Sequence, residues 1–223
     1  MIGIIGAMDI ETDGLKDLIE NKDVKSIAGI EFVTGTMHGK KVVCAKCNPG
    51  KVNAALCAQI MIHEYAPEAI VNSGVAGSLT DKLDVYSVAI AKSCVQHDYD
   101  TSALGSSLGM IEGLGIVNFP CDEKIVDTLQ KVCHDENYLT GVIATGDTFI
   151  SDEERKLDIK REFDAIACEM EGGAVGHVCY LNKVKYGVLR VISDSGNNVD
   201  YSTFKNETAK KSIKIISEFI REY

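Results

Sequence analysis

Hydrophobic positions fall in two alternating rhythms along the chain. Short β-branched runs mark buried strands, and longer stretches with apolar residues three and four apart mark helices. Ile2 to Ala7 reads as a buried strand and Asp9 to Glu20 as a helix carrying Ile10, Leu15, Leu18 and Ile19. Ser26–Thr34 and Lys41–Lys46 read as strands around a Met37-His38-Gly39-Lys40 hairpin turn. Pro49-Gly50 precedes a helix from Lys51 to about Tyr65, and strands follow at Ala69–Ser73 and Val85–Ala91. Residues 97–121 are irregular and rich in glycine, the kind of long loop that usually carries function. A helix near Glu123–Glu136, a strand Thr140–Thr145, a helix Glu153–Phe163 and a brief strand Ala165–Cys168 come next. Glu171–Leu181 reads as a helix, Tyr186–Ile192 as a strand and Thr203–Tyr223 as the last helix.

Strands alternating with helices predict a single α/β domain over residues 1–223. Its expected form is a three-layer sandwich around a mixed, largely parallel sheet. Ligands of such sheets sit beyond the carboxyl ends of strands. Those ends carry Met8 to Glu11, Gly74 to Gly77, Gly146 to Ile150, Glu169 to Gly173 and Ser193-Asp194-Ser195-Gly196. Glycines and carboxylates therefore gather at one edge.

Composition narrows the chemistry. Of 223 residues, 45% are hydrophobic and 25% charged, the balance of an ordinary globule. The net charge of −10 argues against nucleic acid and anionic membrane surfaces as partners. No apolar run reaches the roughly 18 residues of a spanning helix. The start of the chain lacks a basic, signal-like segment, so a cytoplasmic location is expected. In that setting the eight cysteines read as buried thiols and not as disulfides. Cys44 and Cys47 lie in a strand pattern that turns them to opposite faces, which argues against zinc. His97-Asp98-x-Asp100 could hold a metal, but a loop shaping a site or a subunit contact is the preferred reading. Dinucleotide and P-loop patterns fail on spacing.

Carboxylates remain: Glu11, Glu169, Glu171 and Asp194. Glu11 alone reads as a first-turn helix acid. Asp194 follows Arg190 by four residues, which in an extended strand allows an ion pair on one face. Several acids at strand ends suit glycosidic cleavage, where positive charge develops and one acid protonates while another activates water. Other reactions fit the same composition.

Five stretches in order carry a resemblance. They are Ile4-Ile5-Gly6-Ala7-Met8 with Glu11, Asn72-Ser73-Gly74-x-Ala76-Gly77, Gly146-Asp147-x-Phe149-Ile150, Glu169-Met170-Glu171 and Arg190-x-Ile192-Ser193-Asp194. Together they resemble the 5′-methylthioadenosine/S-adenosylhomocysteine nucleosidases of the nucleoside phosphorylase superfamily. The resemblance implies a homodimer without cofactor or metal that hydrolyses the N-glycosidic bond of an adenine nucleoside. It casts Glu11 as the base for water and Asp194 as the acid for adenine. Glu171 would hold the ribose hydroxyls above Met170. Phe149 would stack on the purine, whose edge the Ile150 backbone reads. Glu169, Ser193 and Arg190 would support these groups, and Phe204 would cover the 5′ substituent. Met8, Val75 and Gly77 complete the expected lining.

The residues add an argument of their own. The only arginines are Arg155, Arg161, Arg190 and Arg221, so the first 154 residues offer no guanidinium to a phosphate. Glu11 would also repel phosphate, and water is the favoured nucleophile over the phosphorylase alternative. A nucleoside-binding protein without catalysis is the third reading. Val75, Gln96, Leu104 and Ser106 depart from the family pattern around the 5′ pocket. Methylthio, homocysteinyl, 5′-deoxy and futalosine-type groups all stay open.

Overall fold

The structure, a computed structural model, describes residues 1–194 and 198–223. Ser195 and Gly196, named above with the last strand end, lie outside the described residues. Strand β1 (Ile2–Gly6) leads into α1 (Asp9–Asp17). The chain then forms β2 (Glu20–Ile27), β3 (Ile30–Met37) and β4 (Lys40–Lys46), followed by α2 (Lys51–Tyr65). Next come β5 (Ala69–Ser78), β6 (Val88–Gln96), β7 (Phe119–Pro120) and α3 (Glu123–Val132). The last third is β8 (Tyr138–Thr145), α4 (Glu153–Phe163), β9 (Ala165–Glu169), α5 (Gly172–Asn182), β10 (Lys185–Asp194) and α6 (Asn198–Glu222).

The strands form one mixed sheet in the order β10-β6-β8-β9-β5-β1-β4-β3-β2. A further pairing of β10 with β5 closes the first five into a ring. Around β1 the pairing is parallel, with β4 on one side and β5 on the other. The antiparallel share is larger than the sequence pattern suggested. The β2–β3–β4 hairpins account for part of it, and the pairings of β6 with β10 and β7 and of β9 with β5 add the rest.

Helices cover both faces, as the three-layer expectation required. On one face α2 and α5 pack Met61, Val175 and Cys179 against Ile5, Ile70 and Val188. On the other, α1, α3 and α6 pack Leu15, Leu129, Ile216 and Phe219 against Ile4, Val71 and Val191. A smaller cluster under α4 joins Ile159 to Val142 and Ala165. Cys44 faces one core and Cys47 the other, as strand alternation demands, and all eight thiols are buried and free. No helix of the described residues is long and apolar enough to cross a membrane.

Three boundaries differ in ways that matter. The first helix stops at Asp17, and Glu20–Ile27 is an edge strand. Nearly every β2 side chain is exposed, so no apolar alternation announces it. Its lysines are the charged decoration that edge strands carry. Strand β5 runs on through Gly74 to Ser78, so Val75–Gly77 sits within the strand and not after it. Helix α6 begins at Asn198, which brings Tyr201 onto its first turns.

Candidate active site

The carboxyl ends of β1, β9 and β10, the loop after β8 and the far half of β5 meet around one cleft of about 100 Å³. Met8, Glu11, Val75, Gly77, Phe149, Glu169, Met170, Glu171, Ser193 and Asp194 all line it. Ile150 lines an adjoining recess with Phe149 and Asp194. Arg190 lies behind the wall with 1% of its surface exposed.

Glu11 occupies the third position of α1 and closes a capping box on Met8. One carboxylate oxygen accepts the amides of Ala7 and Met8 at 2.8 and 2.9 Å, and the other accepts the Val75 amide at 3.1 Å. The helix-cap reading and the functional reading thus describe one residue. The approach depends on Gly74: a Cβ there would stand 2.5 Å from Glu11 Oε1. Burial pushes the Glu11 carboxyl above its ordinary range, against the pull of Arg190 and the three amides.

Glu169 has the opposite surroundings. Its Oε2 accepts the amides of Glu171 and Gly172 at 2.9 and 2.7 Å, and Arg190 Nη2 as well. Its Oε1 accepts the Thr145 hydroxyl. Burial alone would raise its pKa, but the Arg190 charge and these donors outweigh it and hold Glu169 ionised. Among the described residues the Glu171 carboxylate meets the Gly50 amide at 2.9 Å and Arg190 Nη2 at 3.6 Å. Burial first, then the neighbouring Glu169 charge, push Glu171 up to about 8. One guanidinium among three buried acids cannot serve all equally, and their protonation states separate.

The separation has a stability consequence. Folded Glu171 keeps its proton to about pH 8, whereas an unfolded glutamate loses it near pH 4.5. The native state therefore binds the extra proton between those values, and this contribution to stability fades as pH rises through them. Glu171→Gln should flatten the decline in melting temperature between about pH 5 and pH 8. Parallel melting curves for the two proteins would contradict the assignment.

Two expectations need correction. Arg190 pairs with Glu169 and Glu171, not with Asp194. Between Ile192 and Asp194 the strand register shifts, so the alternation on which an i, i+4 pair relies breaks before Asp194. Asp194 Oδ2 instead accepts the Ser193 hydroxyl at 2.8 Å, and Asp194 faces Gly77. Phe204 does not reach the cleft: its ring packs edge-on against Tyr86, with centroids 5.7 Å apart. It stands a helical turn beyond the residue that does reach it. Tyr201 lines the cleft, with its ring 5.5 Å from Phe149 and its hydroxyl 3.4 Å from Met8 Sδ.

The His97-Asp98 loop packs against the loop that carries Phe149 into the cleft. Asp98 accepts Lys51 Nζ at 2.6 Å and the Asp147 amide at 2.8 Å, tying α2 to the loop that bears Phe149. Among the described residues no group of three His, Cys, Asp or Glu is placed to hold a metal ion.

The phosphorylase superfamily profile matches residues 1–221. A 5′-methylthioadenosine/S-adenosylhomocysteine nucleosidase of Staphylococcus haemolyticus is 36% identical over 227 residues, covering 99% of both chains. This chain belongs to the phosphorylase superfamily, in its methylthioadenosine/S-adenosylhomocysteine nucleosidase branch. The nucleosidase of Neisseria meningitidis, solved with methylthio-immucillin-A, superposes with a TM-score of 0.96 at 28% identity. That match covers 100% of this chain and 99% of the other. A futalosine hydrolase of Helicobacter pylori superposes with a TM-score of 0.95 at 33% identity, covering 100% and 97%.

Within this nucleosidase-branch site, sequence reasoning missed Tyr201, Thr145, Asn72 and Gly50. Tyr201 lay outside the expected helix. Asn72 opens one of the five motifs and Thr145 directly precedes another, but nothing local marked their amide and hydroxyl as partners of buried charges. Gly50 acts through its backbone amide, which no side-chain motif can announce.

Proposed function

We propose that the protein hydrolyses the N-glycosidic bond of 5′-substituted adenosines, releasing adenine and the free sugar. The convergence of Glu11, Glu171 and Asp194 with Phe149 on one cleft carries the reading. The purine lies against Phe149, with Asp194 at its imidazole edge. Asp194 gives a proton to N7 as the C1′–N9 bond breaks and its electrons pass to the base. Positive charge on the sugar is stabilised by Glu11 in its ionised form, the form in which it acts as base. Glu11 takes a proton from the water that attacks C1′. Glu171 holds the ribose hydroxyls, and Met170 packs under the ring.

Water is the nucleophile on electrostatic grounds. Arg190 is already paired with Glu169 and Glu171, Arg161 with Asp158 and Arg221 with Glu218. Glu11 lines the cleft, where its charge would oppose a phosphate. The test is incubation with methylthioadenosine in phosphate-free buffer, where stoichiometric adenine and methylthioribose are expected. A requirement for phosphate, with sugar phosphate as product, would instead mark a phosphorylase. The likeness to a futalosine hydrolase places futalosine beside S-adenosylhomocysteine and 5′-deoxyadenosine in the same assay. Failure to release a base from any of the four would overturn the reading.

The working form is a homodimer in the cytoplasm. Helices α2 and α5 pack side by side and leave Val52, Leu56, Tyr180 and Leu181 exposed, an apolar surface suited to a second copy. Light scattering should give twice the 24.1 kDa chain mass. The eight free thiols suit a reducing compartment.

A further inference from the structure

Behind the cleft lies a buried chain of polar contacts that no step of the hydrolysis uses directly. Asn72 on β5 donates to the Ile5 carbonyl at 2.9 Å and accepts Arg190 Nη2 at 2.5 Å. Arg190 Nη2 also meets Glu169 Oε2. Glu169 Oε1 accepts the Thr145 hydroxyl, and that same oxygen of Thr145 accepts the Gly173 amide at 2.7 Å. Thr145 is wholly buried at the end of β8, in register with Glu169 at the end of β9.

We propose that the Thr145 hydroxyl is a positioning residue for the hydrolysis, fixing Glu169 as the standing counter-ion of Arg190 and anchoring the first turn of α5 behind Glu171. The inference rests on the hydrolase reading and goes beyond it. Its logic is one of valence. Glu169 has two oxygens: one is committed to Arg190 and to two amides, so the other must be held elsewhere for the carboxylate to keep its plane. A hydroxyl donates to a carboxylate and accepts from an amide through a single small oxygen, which is what the contacts to Glu169 and Gly173 require of this position. Valine at the same volume can do neither, and it would leave Glu169 Oε1 and the Gly173 amide buried without partners.

Gly173 makes the fit specific. A Cβ at that position would stand 2.9 Å from Thr145 Oγ1, so α5 comes close to β8 only because residue 173 is glycine. The close approach carries the consequence to the site. The chain runs from Thr145 through Gly146 and Asp147 to Phe149 in one direction. Through Glu169 the same hydroxyl reaches the amides of Glu171 and Gly172 and the Arg190 guanidinium. Arg190 in turn lies beside Glu11 and Glu171: its Nη1 is 3.1 Å from where a Gly74 Cβ would be, and Glu11 Oε1 is 2.5 Å from the same point. A guanidinium freed from Glu169 would be drawn toward those two acids and would disturb the base and the ribose contact together.

The test compares Thr145→Val with Thr145→Ser, using methylthioadenosine and the intact chain. Thr145→Val should lower kcat by about tenfold or more, as expected when reacting groups are displaced by a fraction of an ångström. KM should change far less. The acid limb of its pH profile should move to higher pH, because a carboxylate that loses a donor takes up a proton more readily. Thr145→Ser, which keeps the hydroxyl, should restore kcat and the pH profile close to those of the wild-type protein. Should Thr145→Val fail to fold, Thr145→Cys keeps the volume with a weaker donor and should fall between the other two. Wild-type kinetics and pH profile in Thr145→Val, or in Thr145→Cys where that stands in, would overturn the proposal. So would a Thr145→Ser enzyme as impaired as the valine variant. Adenine release by the wild-type chain, measured alongside, separates failure of this inference from failure of the hydrolase reading.

Discussion

Replacing Asp194 by asparagine should lower turnover of methylthioadenosine by about 10²-fold or more while leaving the fold intact, the scale at which a general acid contributes. Asp194 is 2% exposed at the end of β10, its Oδ2 held by the Ser193 hydroxyl. Asparagine fits the same volume and can still offer an N–H to a purine nitrogen. It cannot release that hydrogen as a proton, so adenine would have to leave as an anion. The loss should therefore appear in kcat, with nucleoside affinity near the wild-type value by calorimetry. Turnover within a few-fold of wild type would remove Asp194 from the acid role. Ser193→Ala should produce a smaller change of the same sign, since the hydroxyl orients the acid without transferring its proton.

The second large effect is expected at Glu11. Glu11→Gln removes the only carboxylate held by the first helix against the cleft, and with it the base for water. Turnover should fall by about 10²-fold or more. The geometry adds a second penalty. Both Glu11 oxygens face amide donors: Ala7 and Met8 on one, Val75 on the other. A glutamine must turn its own NH₂ toward one of these donors, and an unmet buried donor costs about 1–3 kcal/mol. The variant should thus melt lower than wild type as well as turn over slowly, yet still bind the nucleoside. Retained binding with lost turnover distinguishes an enzyme from a nucleoside-binding protein, in which Glu11 would have no reaction to serve. Unchanged turnover would exclude Glu11 as the base.

Much of the fold was legible because its central strands are buried on both faces and read as continuous apolar runs, as Ile2–Gly6 and Ala69–Val71 do. The edge strand Glu20–Ile27 was not, because a strand that buries neither face leaves no pattern. Helix α6 begins at Asn198, five residues before the expected start at Thr203, and so includes Tyr201. The family resemblance implies Phe204 as the cover for the 5′ substituent. The helix turns it toward Tyr86 and gives the place to Tyr201.

The sequence by itself determined which groups would meet: acids and glycines at strand ends in an α/β order, and too few arginines to cradle a phosphate. These follow from periodicity and composition, which are local. Only the tertiary structure decided how the acids differ. Glu169 is ionised because Arg190, Thr145 and two amides converge on it, whereas Glu171, two residues on, is pushed up to about 8 by burial and by the Glu169 charge. A strand bulge after Ile192 broke the pairing that spacing suggested for Arg190 and Asp194. Charge at a buried site depends on partners brought from distant parts of the chain, and no local pattern of residues records those partners.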